Sequence, residues 1–342
     1  MVATLTLTVV DQSPVRHGGT AADALRESVL LAQAAERCGY ARYWVTEHHN
    51  TGTLAGASPE ILIGQIAAHT HRIRVGSAGV MLSHYSALKV AEQFRILEAF
   101  HPGRIDLGIG RAPGSDQRTS QALAYPRPQA SVHDFPQQVT DLLSLLEGAE
   151  IEEERLAGIK ALPGPAPQST PEVWLLGSSD YSARLAAMLG LPFAFADFFG
   201  TTGDHGPLVT EMYVREFSPS KYLSKPKVNV TVQALCAPTE EEACYHAASR
   251  DLMRANRYFN LGLENTGVLP PEEALAFPLP DAAREYMRRQ AQRNADGDPQ
   301  QVRRRLLAAA ERYGTADIGI VTSCYDFAAR VRSYELIAQA MA

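Results

Sequence analysis

Eight strand-like runs, each followed by a helix-like run, constrain the fold of this 342-residue chain more than anything else in it. The strands are read at residues 4–11, 41–46, 73–81, 104–109, 172–177, 193–196, 228–237 and 317–322. The helices between and after them are read at 21–38, 59–70, 86–100, 135–146, 181–189, 206–217, a long stretch after Thr239, and 327–341. Parallel neighbours can be joined only by crossovers, so this alternation predicts a parallel α/β architecture. Eight units suit a closed (β/α)8 TIM barrel occupying 1–342 as a single domain, with an open doubly wound sheet as the alternative. No GxGxxG follows the first strand, which removes the main support for a dinucleotide-binding open sheet. Ser58 with Pro59 reads as a helix start, and Gly39 and Gly190 read as helix stops.

Three segments exceed the minimal barrel: 111–134, 198–223 and the proline-rich 263–299. Long insertions in compact domains are commonly functional. The segment 263–299, above all 265–280, is therefore read as a mobile lid over the active site. A composition of 45% hydrophobic and 20% charged residues supports a large core. The net charge of −6 argues against a nucleic-acid or anionic-membrane partner. Cys38, Cys236, Cys244 and Cys324 form no CxxC pair, so neither a disulfide framework nor a zinc ribbon is expected. No basic n-region with an apolar h-region opens the chain, and no apolar run approaches membrane-spanning length. A cytoplasmic protein is the expectation.

Side chains alternate faces along a strand, and barrel helices cover the outer face. In Tyr43-Trp44-Val45-Thr46-Glu47-His48-His49, the apolar Tyr43 and Val45 belong outside, which turns His48 inward at the catalytic end. An imidazole there can handle protons near neutral pH. His49 reads as its supporting neighbour, and an ordinary core or loop role for both histidines is the plainer alternative. On strand four Ile105, Leu107 and Ile109 face outward, so Asp106, Gly108 and Gly110 face inward. The two glycines there either leave a flat void for a ligand or permit tight packing. Arg111 follows and can bind an anion such as phosphate. Strand three ends in the small residues Gly76, Ser77, Ala78 and Gly79.

Strand five runs into a helix through Leu176-Gly177-Ser178-Ser179-Asp180-Tyr181-Ser182. Amides and hydroxyls in such a turn either hold a phosphate or only cap the helix. Ala194 and Ala196 keep strand six small inside, and Asn229, Thr231 and Gln233 give strand seven a polar face. Asp11, Phe198 and Phe199 are candidates for the substrate pocket; Phe198 and Phe199, with Tyr258 and Phe259, are equally core candidates.

In their order and spacing these segments resemble the bacterial luciferase-like flavin monooxygenases, especially the single-gene FMN-dependent branch. The resemblance covers 7–14, Glu47-His48-His49, 75–82, 101–111, 174–179, 190–196 and 322–326. It implies that His48 is the active-site histidine promoting formation or use of a flavin C4a-(hydro)peroxide. It implies a non-proline cis peptide at Ala78–Gly79 beneath the isoalloxazine ring, with Gly110 near that ring. Arg111, Gly177, Ser178, Ser179 and Ser182 fall around the flavin phosphate. The implied activity inserts one oxygen atom from O2 into a small organic substrate. Reduced FMN would come from a separate, transiently bound flavin reductase, and a homodimer would pack through helices flanking the early strands. The luciferase α subunit has a cysteine and a glutamate where this chain has Gly110 and Ser178, which sets the chain apart from true light emitters.

Three other readings are open to the same residues: a deazaflavin-dependent hydride-transfer enzyme, a metal-dependent barrel hydrolase using His48, His49 and Asp106, and a non-catalytic flavin-binding protein. The hydrolase needs a His-x-His pair closing strand one, and that strand ends Val9-Val10-Asp11-Gln12-Ser13. No metal is expected. A lid-length insertion and the presence of His48 count against a purely binding role.

Overall fold

A computed structural model describes residues 5–112, 116–126, 131, 133–149, 151, 156–165, 169–200, 205–263 and 267–342. Nine strands form one sheet in which every pairing is parallel: β1 (Thr6–Asp11), β2 (Arg42–Val45), β3 (Arg74–Ser77), β4 (Val80–Met81), β5 (Ile105–Gly110), β6 (Glu172–Gly177), β7 (Phe193–Ala196), β8 (Val228–Gln233) and β9 (Asp317–Val321). The order β3-β2-β1-β9-β8-β7-β6-β5-β4, with β3 also pairing β5, closes the sheet on itself. Val75 lies opposite Ile105 and Val80 opposite Ile109, so β3 and β4 are halves of one stave. The result is an eight-stave (β/α)8 barrel, as the alternation predicts. The strand expected to run unbroken over 73–81 is instead interrupted at the cis peptide between Ala78 and Gly79.

The helices are α1 (Ala21–Arg37), α2 (Pro59–Ala68), α3 (Ala87–Phe100), α4 (Gln117–Ala124), α5 (Phe135–Glu147), α6 (Asp180–Leu189), α7 (His205–Glu216), α8 (Glu240–Phe259), α9 (Pro271–Ala276), α10 (Asp281–Arg293), α11 (Pro299–Tyr313) and α12 (Phe327–Met341). Helix α4 lies within the 111–134 insertion. Local chemistry sets several ends. Thr20 with Asp23 and Asp298 with Gln301 form capping boxes that satisfy the first free amides of α1 and α11. Gly190 ends α6 in the left-handed region at φ 63°, which costs glycine nothing. Ser58 does head α2, but its hydroxyl makes no capping bond.

Strand parity divides the core in two. Val9, Tyr43, Val45, Ile105, Leu107, Ile109, Phe193 and Phe195 are fully buried against the helices. Inside the barrel, Val10, Trp44, Trp174, Ala194 and Val321 form a second cluster, with the two indoles edge to face at 5.1 Å. The N-terminal ends of the staves carry a paired charge network. Asp106 accepts from Trp44 Nε1 at 2.8 Å and Arg74 Nε at 2.8 Å. Arg42 donates to Asp317 at 2.7 Å, and Lys227 pairs with Glu172. Gly76 is required beside this network, because a Cβ there would lie 2.5 Å from the Asp106 Cβ.

The excursion between β8 and α11 contains the segment 263–299, of which 264–266 lie outside the described residues. It is tied down at both ends. Val268 exchanges backbone bonds with Val15 and His17 at 2.8 Å, and Ala295 and Gly297 donate to Gln233 and Leu235 at 2.8 and 3.0 Å. Between those anchors α9 packs on α8, and Gln290 and Arg293 of α10 donate to the Gly200 carbonyl. Among the described residues no helix is long and apolar enough to cross a membrane.

Candidate active site

His48 follows the C-terminal end of β2, three residues past Val45. Its Nδ1 shares a 3.0 Å hydrogen bond with the Thr46 hydroxyl, and its backbone amide donates to the Gly56 carbonyl at 2.8 Å. Among the described residues Nε2 has no hydrogen-bond partner. Burial, reinforced by the charge of Arg257 and resisted by Glu47, pushes the imidazole down to about 4. The ring is therefore neutral at pH 7, with one nitrogen able to accept a proton. His49 does a different job. It bonds Glu47 Oε1 at 2.8 Å, while the other Glu47 oxygen accepts the Met81 amide at 3.0 Å. With Tyr85 also donating to Glu47 at 2.7 Å, this trio ties the end of β2 to the neighbouring stave.

The floor of the mouth is apolar and low. Ala78, Leu176 and Phe198 rest half-buried on the interior cluster of Trp44 and Trp174. Gly110 and Gly108, two residues apart on β5, differ sharply. A Cβ on Gly110 would meet nothing within 4 Å, whereas one on Gly108 would lie 2.1 Å from the Ser77 carbonyl oxygen and 2.6 Å from a Leu176 methyl. Of the two alternatives left open for these glycines, open space holds at Gly110 and tight packing at Gly108.

Beside the floor is a corner suited to an anion. Ser179 occupies the N-cap of α6 but its side chain makes no capping bond, which leaves the first amides of the helix for another acceptor. Ser178 and Ser179 are half-buried, and Ser182 is buried. Gly177 lets that first turn close down, since a Cβ there would sit 2.7 Å from the Ser182 Cβ and hydroxyl. Arg111 lies over the Tyr181 ring at 4.1 Å, and no carboxylate pairs with it among the described residues. These are the parts that recognise a phosphate: open helix amides, hydroxyls and a guanidinium with no carboxylate partner among the described residues.

Other candidates fall elsewhere. Asp11 points to the helix-facing side of β1, where it accepts from Tyr43 at 2.7 Å, Arg330 at 2.6 Å and the Ser13 amide at 2.8 Å. It is a buried structural carboxylate, not a pocket residue. Asp106 belongs to the opposite end of the barrel from His48. Among the described residues no three His, Cys, Asp or Glu side chains gather as a metal would require. Phe198 contributes to the floor, and the Phe199 ring leans on it at 4.3 Å while staying largely exposed. A small cleft of about 30 Å³ opens beside Phe198, between the end of β8 and α10, rather than at His48.

Two arginines of α8 escaped the sequence reading. Arg254 donates to the Phe198 and Phe199 carbonyls at 3.2 and 2.9 Å, which sets the end of α8 on the loop after β7. Arg257, one turn on, is exposed, and its positive charge is one of the influences that lower the His48 pKa. Their spacing with Arg250 (four, then three) was a readable sign of one basic helix face.

The barrel and its mouth define a known class: the chain belongs to the luciferase-like monooxygenases, whose family model matches residues 2–320. Over 342 residues it is 42% identical to the uncharacterised protein YwcH of Bacillus subtilis, covering 99% of each chain. It is 40% identical to N-acetyl-S-alkylcysteine monooxygenase of the same organism over 262 residues, 75% of this chain and 76% of the other. Among solved structures, apo-MsnO8 is 36% identical with a TM-score of 0.86, covering 98% of each chain. More distant barrels share the fold alone. One is an FMN complex of a type II Baeyer–Villiger monooxygenase component (18% identity, TM-score 0.71, 98% and 97% covered). Another is an F420-dependent secondary alcohol dehydrogenase (14%, 0.66, 99% and 100%).

Proposed function

We propose that the chain binds reduced FMN across the mouth of the barrel and uses O2 to insert one oxygen atom into a small organic substrate. The observation that carries this reading is a single juxtaposition. A flat apolar floor with empty space at Gly110 lies between a neutral His48 and an uncapped helix start with Arg111. That arrangement fits a planar ring with a phosphate tail. Arg111, Gly177, Ser178, Ser179 and Ser182 would hold the phosphate, and Ala78, Gly79 and Gly110 would lie against the ring. When bound, reduced FMN supplies the two electrons by which one oxygen of O2 enters substrate and the other leaves as water.

His48 takes or returns a proton through the ring nitrogen that Thr46 does not engage. The excursion 263–299 covers the mouth and limits water access, and any opening motion is confined between its two backbone anchors. A cytoplasmic location with a separate flavin reductase completes the reading. Exposed Leu30, Ile61, Ile96 and Phe100 on α1, α2 and α3 support a homodimer through the early helices. Similarity to an N-acetyl-S-alkylcysteine monooxygenase makes thioether acids the first substrates to try.

The test is to load the protein anaerobically with reduced FMN, add candidate substrates, and admit isotopically labelled O2. One labelled oxygen in the product supports the proposal. Hydrogen peroxide as the sole outcome, formed at the rate of free reduced flavin, would sink it. The competing hydride-transfer reading predicts tighter binding of a reduced deazaflavin and substrate reduction without O2.

A further inference from the structure

The cleft between the end of β8 and α10 holds two polar atoms that the fold does not use. Phe198, Gln233 and Asn294 line it, together with Arg293 and Arg312. Gln233 and Asn294 are only 7% and 4% exposed. Yet among the described residues Gln233 Oε1 has no donor and Asn294 Nδ2 has no acceptor. The two atoms do not bond each other either, although their roles are complementary. Their placing is firm. The Ala295 amide donates to the Gln233 carbonyl at 2.8 Å, which sets Asn294 beside the strand end. Arg254 donates to Asn294 Oδ1 at 3.3 Å, so the amino group of that side chain is the part left over. Gly200, also in the lining, accepts from Gln290 and Arg293 at 3.2 and 2.6 Å, which ties the loop after β7 to α10.

A buried donor and a buried acceptor left unanswered work against folding, so a partner from outside the chain is expected. Water can answer them singly. A group that answers both at once needs an N–H for Gln233 and a C=O for Asn294, and one carboxamide carries both. The size agrees. One water needs roughly 10–15 Å³ of such space, so about 30 Å³ admits about two polar atoms and no ring. A carboxylate would suit the arginines, but it brings no donor to Gln233 and sets its charge against that oxygen. Resting on the flavin-site reading above, we infer that this cleft seats a carboxamide group of the substrate. Phe198 belongs both to the cleft and to the floor over Trp44 and Trp174, so an apolar arm leaving the amide passes along that ring onto the floor. The substrate class is a small amide, held by its polar head and oxidised on its apolar part.

Binding can be read without turnover. Calorimetry, run with and without FMN, compares hexanamide with N,N-dimethylhexanamide, methyl hexanoate and hexanoate. Hexanamide should bind about tenfold or more tighter than the other three, because each of them leaves a buried group of the cleft unpaired. Gln233→Met removes the acceptor. Asn294→Asp keeps an oxygen for Arg254 and puts a second one where the free N–H stood. Each variant should abolish the amide preference, with melting temperatures showing that it folds; if Gln233→Met does not fold, Asn294→Asp decides alone. Four compounds binding alike, as in a cleft that holds only water, would overturn the inference. So would no binding at millimolar concentration, hexanoate binding tighter than hexanamide, or an undiminished preference in a folded variant. Amide preference without labelled oxygen in any product would remove the oxygenase reading and leave the amide site in place; oxygenated product without amide preference would do the reverse.

Discussion

The two ends of the barrel use the same residue types to opposite ends. At the N-terminal end Arg42 and Arg74 are each paired with a carboxylate, and the Asp106 oxygens have partners on three sides. At the C-terminal end Arg111 has no carboxylate partner among the described residues. His48 is held neutral, and Gly110 faces empty space. Buried charge is tolerable only when it is paired, so the closed end reads as structure. Groups left unpaired at a rigid, half-buried rim are set up to meet something that arrives later.

The sharpest way to break this contrast is at His48. His48→Ala should lower coupled turnover about 10²–10⁴-fold, while flavin affinity and melting temperature stay close to those of the parent. A stopped-flow assay of product against peroxide, run beside a thermal melt, separates the two effects. A stability loss with intact turnover would make His48 part of the structural end. The ring also has a pH signature. Its folded value of about 4 lies below the ordinary 6.5, so the stability it contributes is present above 6.5 and lost as pH falls toward 4. Denaturant midpoints between those values should decline less steeply in His48→Gln than in the parent.

At the closed end the expected effect is on folding. Asp106→Ala leaves Arg74 and the Trp44 indole without their buried acceptor and should cost about 3–5 kcal/mol in urea unfolding. Turnover per folded molecule should be unchanged. A selective loss of activity at full stability would mean that charge at the base of the barrel reaches the mouth.

Part of this contrast is legible in the sequence, because period-two alternation under a helical cover leaves little choice of face. Parity sends Tyr43 outward, where it is buried in the helix-facing core, and turns His48, Gly108 and Gly110 to the interior. It could not say that Leu176 fills the space at Gly108 and nothing fills it at Gly110, since the filling atoms come from other staves. It also cannot reveal partners distant in sequence. Asp11 looked available at a strand end until Arg330, from the last helix, was found bonded to it. Arg254 lies more than fifty residues from Phe198 and Phe199, and its bonds to their carbonyls set α8 on the loop after β7. The break at Ala78–Gly79 is likewise absent from the alternation, which runs through 73–81 without a gap.

A smaller effect is expected at the anion corner. Arg111 stacks on Tyr181, and a half-exposed cation–π contact contributes only about 0.5–1 kcal/mol to folding. Arg111→Ala should therefore melt close to the parent. Its affinity for FMN should fall about tenfold, the scale of one charge-assisted hydrogen bond, and its affinity for riboflavin, which lacks the phosphate, should hardly move. Equal losses for both would place Arg111 against the ring or against another group.

The smallest change tests the comparison within a single strand. Gly110→Ala adds a methyl group where nothing lies within 4 Å, so melting should shift by no more than about 0.5 kcal/mol. Gly108→Ala drives the same methyl into the Ser77 carbonyl and the Leu176 side chain and should be clearly less stable, or fail to fold. If a flat ring lies over the floor, Gly110→Ala weakens binding of FMN and riboflavin together, because the methyl touches the portion they share. That pattern is the converse of the one expected for Arg111→Ala. FMN titrations that left Gly110→Ala at parental affinity would move the ring away from β5, even if the phosphate stayed at α6.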